Sequence, residues 1–207
     1  MKRLPLLFVF LTNIAFSQVF EGKITYHNTY KSKLANISDQ QFTQMLGDVR
    51  EYAIKNGDYR TSGNGTMLQW QVYINKENKL YTKTAMSQAI FWNDGAQNPD
   101  EVYKSEINKG VIAILGHTCD ELILHCKSGV QRYYFSEKLK VDPKWFENHK
   151  FANLYEFTSK TGALPLKVIF ETTQFTLEST ATAIDPMTLD PSLFTLPPDA
   201  LLQKSPF

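Results

Sequence analysis

The chain has 207 residues, with 22 Lys and Arg against 21 Asp and Glu and a formal net charge of +1. That balance, with no cluster of basic residues, excludes the electrostatic footprint of a nucleic-acid binder. The 14 Phe, 10 Tyr and 3 Trp are side chains that favour strands, fill cores and line apolar sites.

The chain starts with a positive pair, Lys2 and Arg3, then an apolar stretch from Leu4 to Ala15 and the small-bulky-small run Ala15-Phe16-Ser17. This is the pattern of a secretory signal over residues 1–17. A dozen apolar residues are too few to span about 30 Å of hydrocarbon, and no later stretch is long and apolar enough, so no transmembrane anchor is expected. No cysteine follows Ser17 to accept lipid, which argues against a lipoprotein anchor. The expected product is periplasmic or secreted, with residues 18–207 forming a single domain.

Phe20, Ile24, Tyr26 and Tyr30 fall on one face of an extended segment whose other face is polar, which predicts a half-buried strand. The period then changes. Ser38 and Gln41 form a capping box, Ile37 and Phe42 a hydrophobic staple, and Phe42, Met45, Leu46 and Val49 a helical stripe, so an amphipathic helix is predicted over about 39–50. Asn56-Gly57 marks a type I′ hairpin, and Leu68, Trp70, Val72 and Ile74 share one parity on the following strand. Further strands are predicted at Leu80–Thr82, Ile90–Trp92, Cys119–Cys126, Val130–Phe135, Leu154–Thr158, Leu164–Thr172 and Phe175–Ile184. Asp142-Pro143 and Asp190-Pro191 each predict a short helix, capped by Asp with Pro at its first position. The fold class is therefore mainly β and antiparallel, a sandwich, a barrel or a curled open sheet, with one amphipathic helix at about 39–50 and two short helices.

Chemistry is harder to find. Cys119 and Cys126 bracket one strand, and seven steps of about 3.3 Å separate them far beyond the roughly 7 Å reach of a disulfide, so two free thiols are expected. Thr61-Ser62-Gly63-Asn64-Gly65 lacks the first glycine and the strand-to-helix setting of a nucleophile elbow. His117, Cys119, Glu121 and His125 share a parity, but only the first two are close. Even with His27 and His149 they define no four-ligand site, so neither metal nor cofactor is expected. Asp100-Glu101 and Asp120-Glu121 are sequence neighbours that point apart on a strand. No catalytic residue is assigned.

Thr161-Gly162-Ala163-Leu164-Pro165-Leu166-Lys167, the strand Val168–Thr172, and Pro191-Ser192-Leu193-Phe194-Thr195-Leu196-Pro197 together resemble the closing segment of exported proteins related to the outer-membrane lipoprotein carriers, the LolA/LolB-like group. Ile114-Leu115-Gly116-His117-Thr118-Cys119, leading to Tyr133-Tyr134-Phe135, resembles uncharacterised secreted families of the same broad group. The resemblance implies a half-barrel whose concave face, covered by helices, holds acyl chains or another apolar ligand. It carries no functional residue onto this chain.

Parity and resemblance together predict that Phe20, Ile24, Tyr26, Leu68, Trp70, Val72, Ile74, Leu166, Val168 and Phe170 line a cavity beneath the helix. The expected function is a cell-envelope binding protein that carries or senses a lipid or other apolar small molecule. A non-catalytic protein-interaction or structural module, docking an envelope protein, is the alternative, and a hydrolase ranks third. Export should remove residues 1–17, so intact mass of the exported form should match a chain starting at Gln18 with no acyl addition; a retained Met1 contradicts the signal.

Overall fold

The computed structural model describes residues 19–206; the predicted signal at 1–17 lies outside the described residues. Among the described residues there are twelve strands: β1 (Gly22–Ser32), β2 (Val49–Lys55), β3 (Asp58–Gly63), β4 (Leu68–Ile74), β5 (Lys79–Thr84), β6 (Ile90–Asp94), β7 (Val102–Ile114), β8 (His117–Cys126), β9 (Gly129–Lys140), β10 (Ala163–Glu171), β11 (Phe175–Pro186) and β12 (Leu202–Lys204). They form one sheet in the order β12-β6-β5-β4-β3-β2-β1-β11-β10-β9-β8-β7. Two meanders are thus joined at a seam where β1 pairs antiparallel with β11. β12 is added parallel to β6. Among the described residues the edges β12 and β7 do not pair with each other, so the curled antiparallel sheet stays open, the incomplete barrel that the resemblance implies.

On β1 the residues Ile24, Tyr26, Asn28 and Tyr30 are all buried, the inward set of a period-2 strand. Over its far end lies α1 (Asp39–Leu46), begun by the capping box of Ser38 and Gln41. Phe42 packs against Tyr30 and Phe175, with ring centroids 6.5 and 4.8 Å away. The helix ends earlier than the predicted 39–50. Gly47 takes φ 87°, a conformation that favours glycine, and its carbonyl accepts hydrogen bonds from Tyr30 Oη at 3.0 Å and Asn28 Nδ2 at 3.3 Å. Val49 therefore leaves the stripe and is exposed on β2.

The predicted strand Leu154–Thr158 is instead α2 (Leu154–Thr161). Its alternation of aromatic and polar residues is shared by both periods over so short a run, and the preceding left-handed pair Ala152 (φ 53°) and Asn153 (φ 60°) turns the chain onto a helical path. β7, a strand the sequence patterns do not reveal, contains an irregularity between Asn108 and Ile112 where it pairs with β8. The two Asp-Pro helices are single 3-10 turns, Pro143–Phe146 and Pro191–Phe194, with Asp142 and Asp190 accepting from the backbone N–H of Lys144 and Ser192. Both cysteines are buried and free. No helix among the described residues is long and apolar enough to cross a membrane.

The two faces of the sheet are covered differently. Tyr59, Tyr73 and Leu80 join Ile24, Tyr26 and Leu166 in the core of the concave face, roofed by Trp145, Phe146, Phe151 and Leu154. The alternate residues Ala53, Val72, Tyr81 and Ile90 pack on the convex side beneath Leu189 and Phe194 of the C-terminal segment. Because Phe42 is almost wholly buried in the aromatic contact that fastens α1, Phe42→Ala should lower unfolding free energy by about 3–5 kcal/mol. A chemical-denaturation midpoint equal to that of the parent protein contradicts this packing.

Candidate functional site

The roof segment is held over the concave face at fixed points. The N–H groups of Lys150 and Phe151 donate to the Gly95 carbonyl at 2.7 and 3.0 Å. Asn153, also buried, donates through Nδ2 to Asp100 Oδ2 at 3.2 Å and accepts from Asn98 Nδ2 at 2.6 Å. Asp100 also accepts from Ser128 and Gln131, tying the roof to the start of β9. Two successive left-handed residues without a glycine are costly on their own, and these bonds offset that cost.

Under this roof is a cavity of about 280 Å³. Its walls are chiefly aromatic and aliphatic: Tyr26, Tyr52, Tyr59, Tyr133, Phe146, Phe157 and Leu164 contribute, with Arg50, Thr61 and Gln71 toward one end. The tyrosine rings run in series across β2, β3 and β4, with Tyr52–Tyr59 and Tyr59–Tyr73 centroids both 5.3 Å apart. His149 closes the series, 4.0 Å from Tyr73. Burial pushes the Tyr26 hydroxyl up to about 12 and raises those of Tyr52 and Tyr59 as well, so all three stay neutral. Tyr26 donates to the carbonyl of Pro165 at 2.7 Å, where an irregularity in β10 opens the ladder.

A second cavity of about 200 Å³ adjoins the first and lies toward α1. Asn28, Ser62 and Val49 line it together with Tyr30, Leu46, Leu68, Trp70, Phe175 and Leu177. Arg50, Thr61 and Gln71 belong to the walls of both cavities.

The ten residues singled out from the sequence separate into four groups. Tyr26, Val168 and Phe170 line the larger cavity. Ile24 and Leu166 are fully buried in the core cluster of the same face, and Phe20 packs against it. Leu68 and Trp70 border the smaller cavity, but the Trp70 ring, which carries Arg60 at 4.7 Å, packs against the convex cluster as Ile74 does. Val72 and Ile74 sit on the convex side with Leu189 and Phe194; on β4 it is Gln71, of the opposite parity, that reaches the larger cavity, with Tyr73 in the core beside it. Parity groups residues by face but does not say which face is concave, and the C-terminal segment provides apolar cover for the other one. α1 covers the end of the concave face near the smaller cavity, whereas the larger cavity lies under the roof that contains α2.

Sequence reasoning missed Arg50, Tyr52, Tyr59, His149 and Phe157. Tyr52 and Tyr59 flank the Asn56-Gly57 hairpin and their shared facing could have been read from it; Phe157 was hidden by the strand reading of its segment. Elsewhere, His125 pairs with Glu106, and Glu121 accepts from Asn108 and Arg132, so the polar strand face is occupied by ion pairs. Among the described residues no group of three or more His, Cys, Asp or Glu is placed to hold a metal.

No protein-family model and no curated protein sequence matches the chain. Among solved structures it is similar to an uncharacterized conserved protein from Thermus thermophilus, at 8% identity over 87% of this chain and 90% of that one, with a TM-score of 0.35. It is also similar to a LolA superfamily protein from Nitrosomonas europaea, at 9% identity over 86% and 90%, with a TM-score of 0.32.

His149 gives a pH signature. Its Nε2 and the Tyr59 hydroxyl are hydrogen-bonded at 2.9 Å, its Nδ1 is buried without a partner, and burial lowers its pKa from 6.5 to about 4. Above pH 6.5 the ring is neutral folded or unfolded and contributes no pH dependence. As pH falls from about 6.5 to about 4 the unfolded chain takes up a proton that the folded one refuses, so stability declines, by about 3 kcal/mol in all. Denaturant titrations across that window should show this decline in the parent protein and a correspondingly smaller one in His149→Gln; equal declines would mean that the imidazole is solvated.

Proposed function

We propose that the protein is a non-enzymatic binding protein of the cell envelope that carries or senses a lipid or another apolar small molecule. The observation that carries this reading is the cavity of about 280 Å³ beneath the roof segment, walled by Tyr, Phe, Leu and Val and left open rather than filled by the protein's own side chains. Its volume lies at the lower end of ligand sites, and its lining, apolar with a few polar groups at one end, is their usual composition. The apolar stretch and small-residue pattern of residues 1–17 support export to the periplasm or beyond.

A second reading, docking of a protein along β7, is favoured by one observation. This edge strand exposes Tyr103, Ile107, Val111 and Ile112, with Leu115 at its turn, and an unpaired apolar edge is a template for strand addition.

Titration with an anthroyloxy-labelled fatty acid tests the first reading. Saturable binding is expected, and Val168→Phe, which intrudes into the cavity, should weaken it about tenfold or more while costing about 1–3 kcal/mol of stability. Absence of saturable binding across acyl lengths defeats the carrier reading and leaves the β7 interaction reading standing.

A further inference from the structure

Arg50 is a cation without a counter-ion at the junction of the two cavities. Among the described residues Lys23, Lys55, Arg132 and Lys167 each face a carboxylate, whereas Arg50 forms no ion pair. Its Nη2 donates to Ser179 Oγ at a long 3.4 Å, its guanidinium stacks on the Tyr26 ring at 4.5 Å, and its Nε is buried with no hydrogen-bond partner. A guanidinium presents five N–H donors in one plane, and most of these are unused. Holding such a group against aromatic walls is costly unless an anion completes it.

The surroundings define what that anion is attached to. On one side of Arg50 the larger cavity is aromatic and aliphatic and suits a hydrocarbon tail. On the other side the smaller cavity brings Asn28, Ser62, Thr61 and Gln71 alongside apolar neighbours, a mixed lining suited to a polar head.

We propose that Arg50 anchors the headgroup of a single-chain anionic amphiphile, its oxyanion on the guanidinium and its tail in the cavity under the roof. This rests on the cavity-binding reading and specifies its ligand class as a long-chain carboxylate or an alkyl phosphate, which share the oxyanion. Arginine meets either one bidentately through charge-assisted hydrogen bonds.

Competition by palmitate, hexadecyl phosphate and hexadecanol against a neutral fluorescent acyl probe tests the assignment on the full exported chain. The parent protein should prefer the anions over the alcohol by about 10- to 100-fold, the range of a hydrogen-bonded charge. Within the Arg50→Gln variant the anions should compete no better than hexadecanol, and Arg50→Lys should retain part of the preference. The tighter of the two anions identifies the source, a free fatty acid or a phosphate headgroup. Equal affinity for acid and alcohol, or a preference that survives in folded Arg50→Gln, overturns the anchor and leaves the cavity reading intact; no binding of any of the three overturns both. Should Arg50→Gln fail to fold, the parent protein supplies the arm. Methyl palmitate, which keeps the chain and lacks the charge, should compete no better than hexadecanol at neutral pH. Methyl palmitate competing as well as palmitate also overturns the proposal.

Discussion

The open sheet is the constraint on which everything else depends. Twelve strands curl, yet β7 and β12 do not meet, so no strand closes over the concave face and its apolar side chains require cover of another kind. Two non-strand pieces supply it: α1 covers one end through Phe42 and the roof from Asp142 to Thr161 covers the middle, while the C-terminal segment around Phe194 covers part of the convex side. A roof made of short turns cannot interdigitate with a sheet as another sheet would, and the space left under it is the cavity.

The interior is polar in a restricted way. Its tyrosines present rings to the cavity, and burial keeps the hydroxyls of Tyr26, Tyr52 and Tyr59 protonated. His149 is neutral for the same reason. Arg50 differs in kind, because a guanidinium remains charged at any ordinary pH. Among the described residues that line the larger cavity, Arg50 therefore sets a fixed charge beside groups that burial has kept neutral, and that asymmetry distinguishes one end of the cavity from the other.

Much of this architecture was legible in the chain. The parity of Ile24, Tyr26 and Tyr30, the Ser38–Gln41 box, the Asn56-Gly57 turn and the two Asp-Pro caps are all local signals, and local signals survive folding. The site was legible only in part. Tyr26, Val168 and Phe170 line the larger cavity because their strands alternate regularly, but Val72 and Ile74 obey the same alternation and end on the convex side. The choice of face is settled by residues more than a hundred positions away, in the C-terminal segment. α2 was hidden because eight residues are too few to separate one period from the other, and the pair of left-handed residues that initiates it, Ala152 and Asn153, includes no glycine to announce the turn.

The β1–β11 seam has a kinetic consequence. Each meander is local, strand pairing with the next strand along, so β2 to β6 and β7 to β9 can form pairs over short loops at modest entropic cost, and β10 joins after the roof segment. β1, in contrast, finds β11 only after almost the whole chain is present, because its register runs from Gly22 with Pro186 to Ser32 with Phe175. Until that moment the inward residues of β1 are covered on one flank only, and two half-sheets with unsatisfied edges coexist. Joining them is the slow, high-contact-order event of assembly, and the cavity comes into being with it, since its walls are drawn from β1 to β5 on one side of the seam and from β9 and β10 on the other.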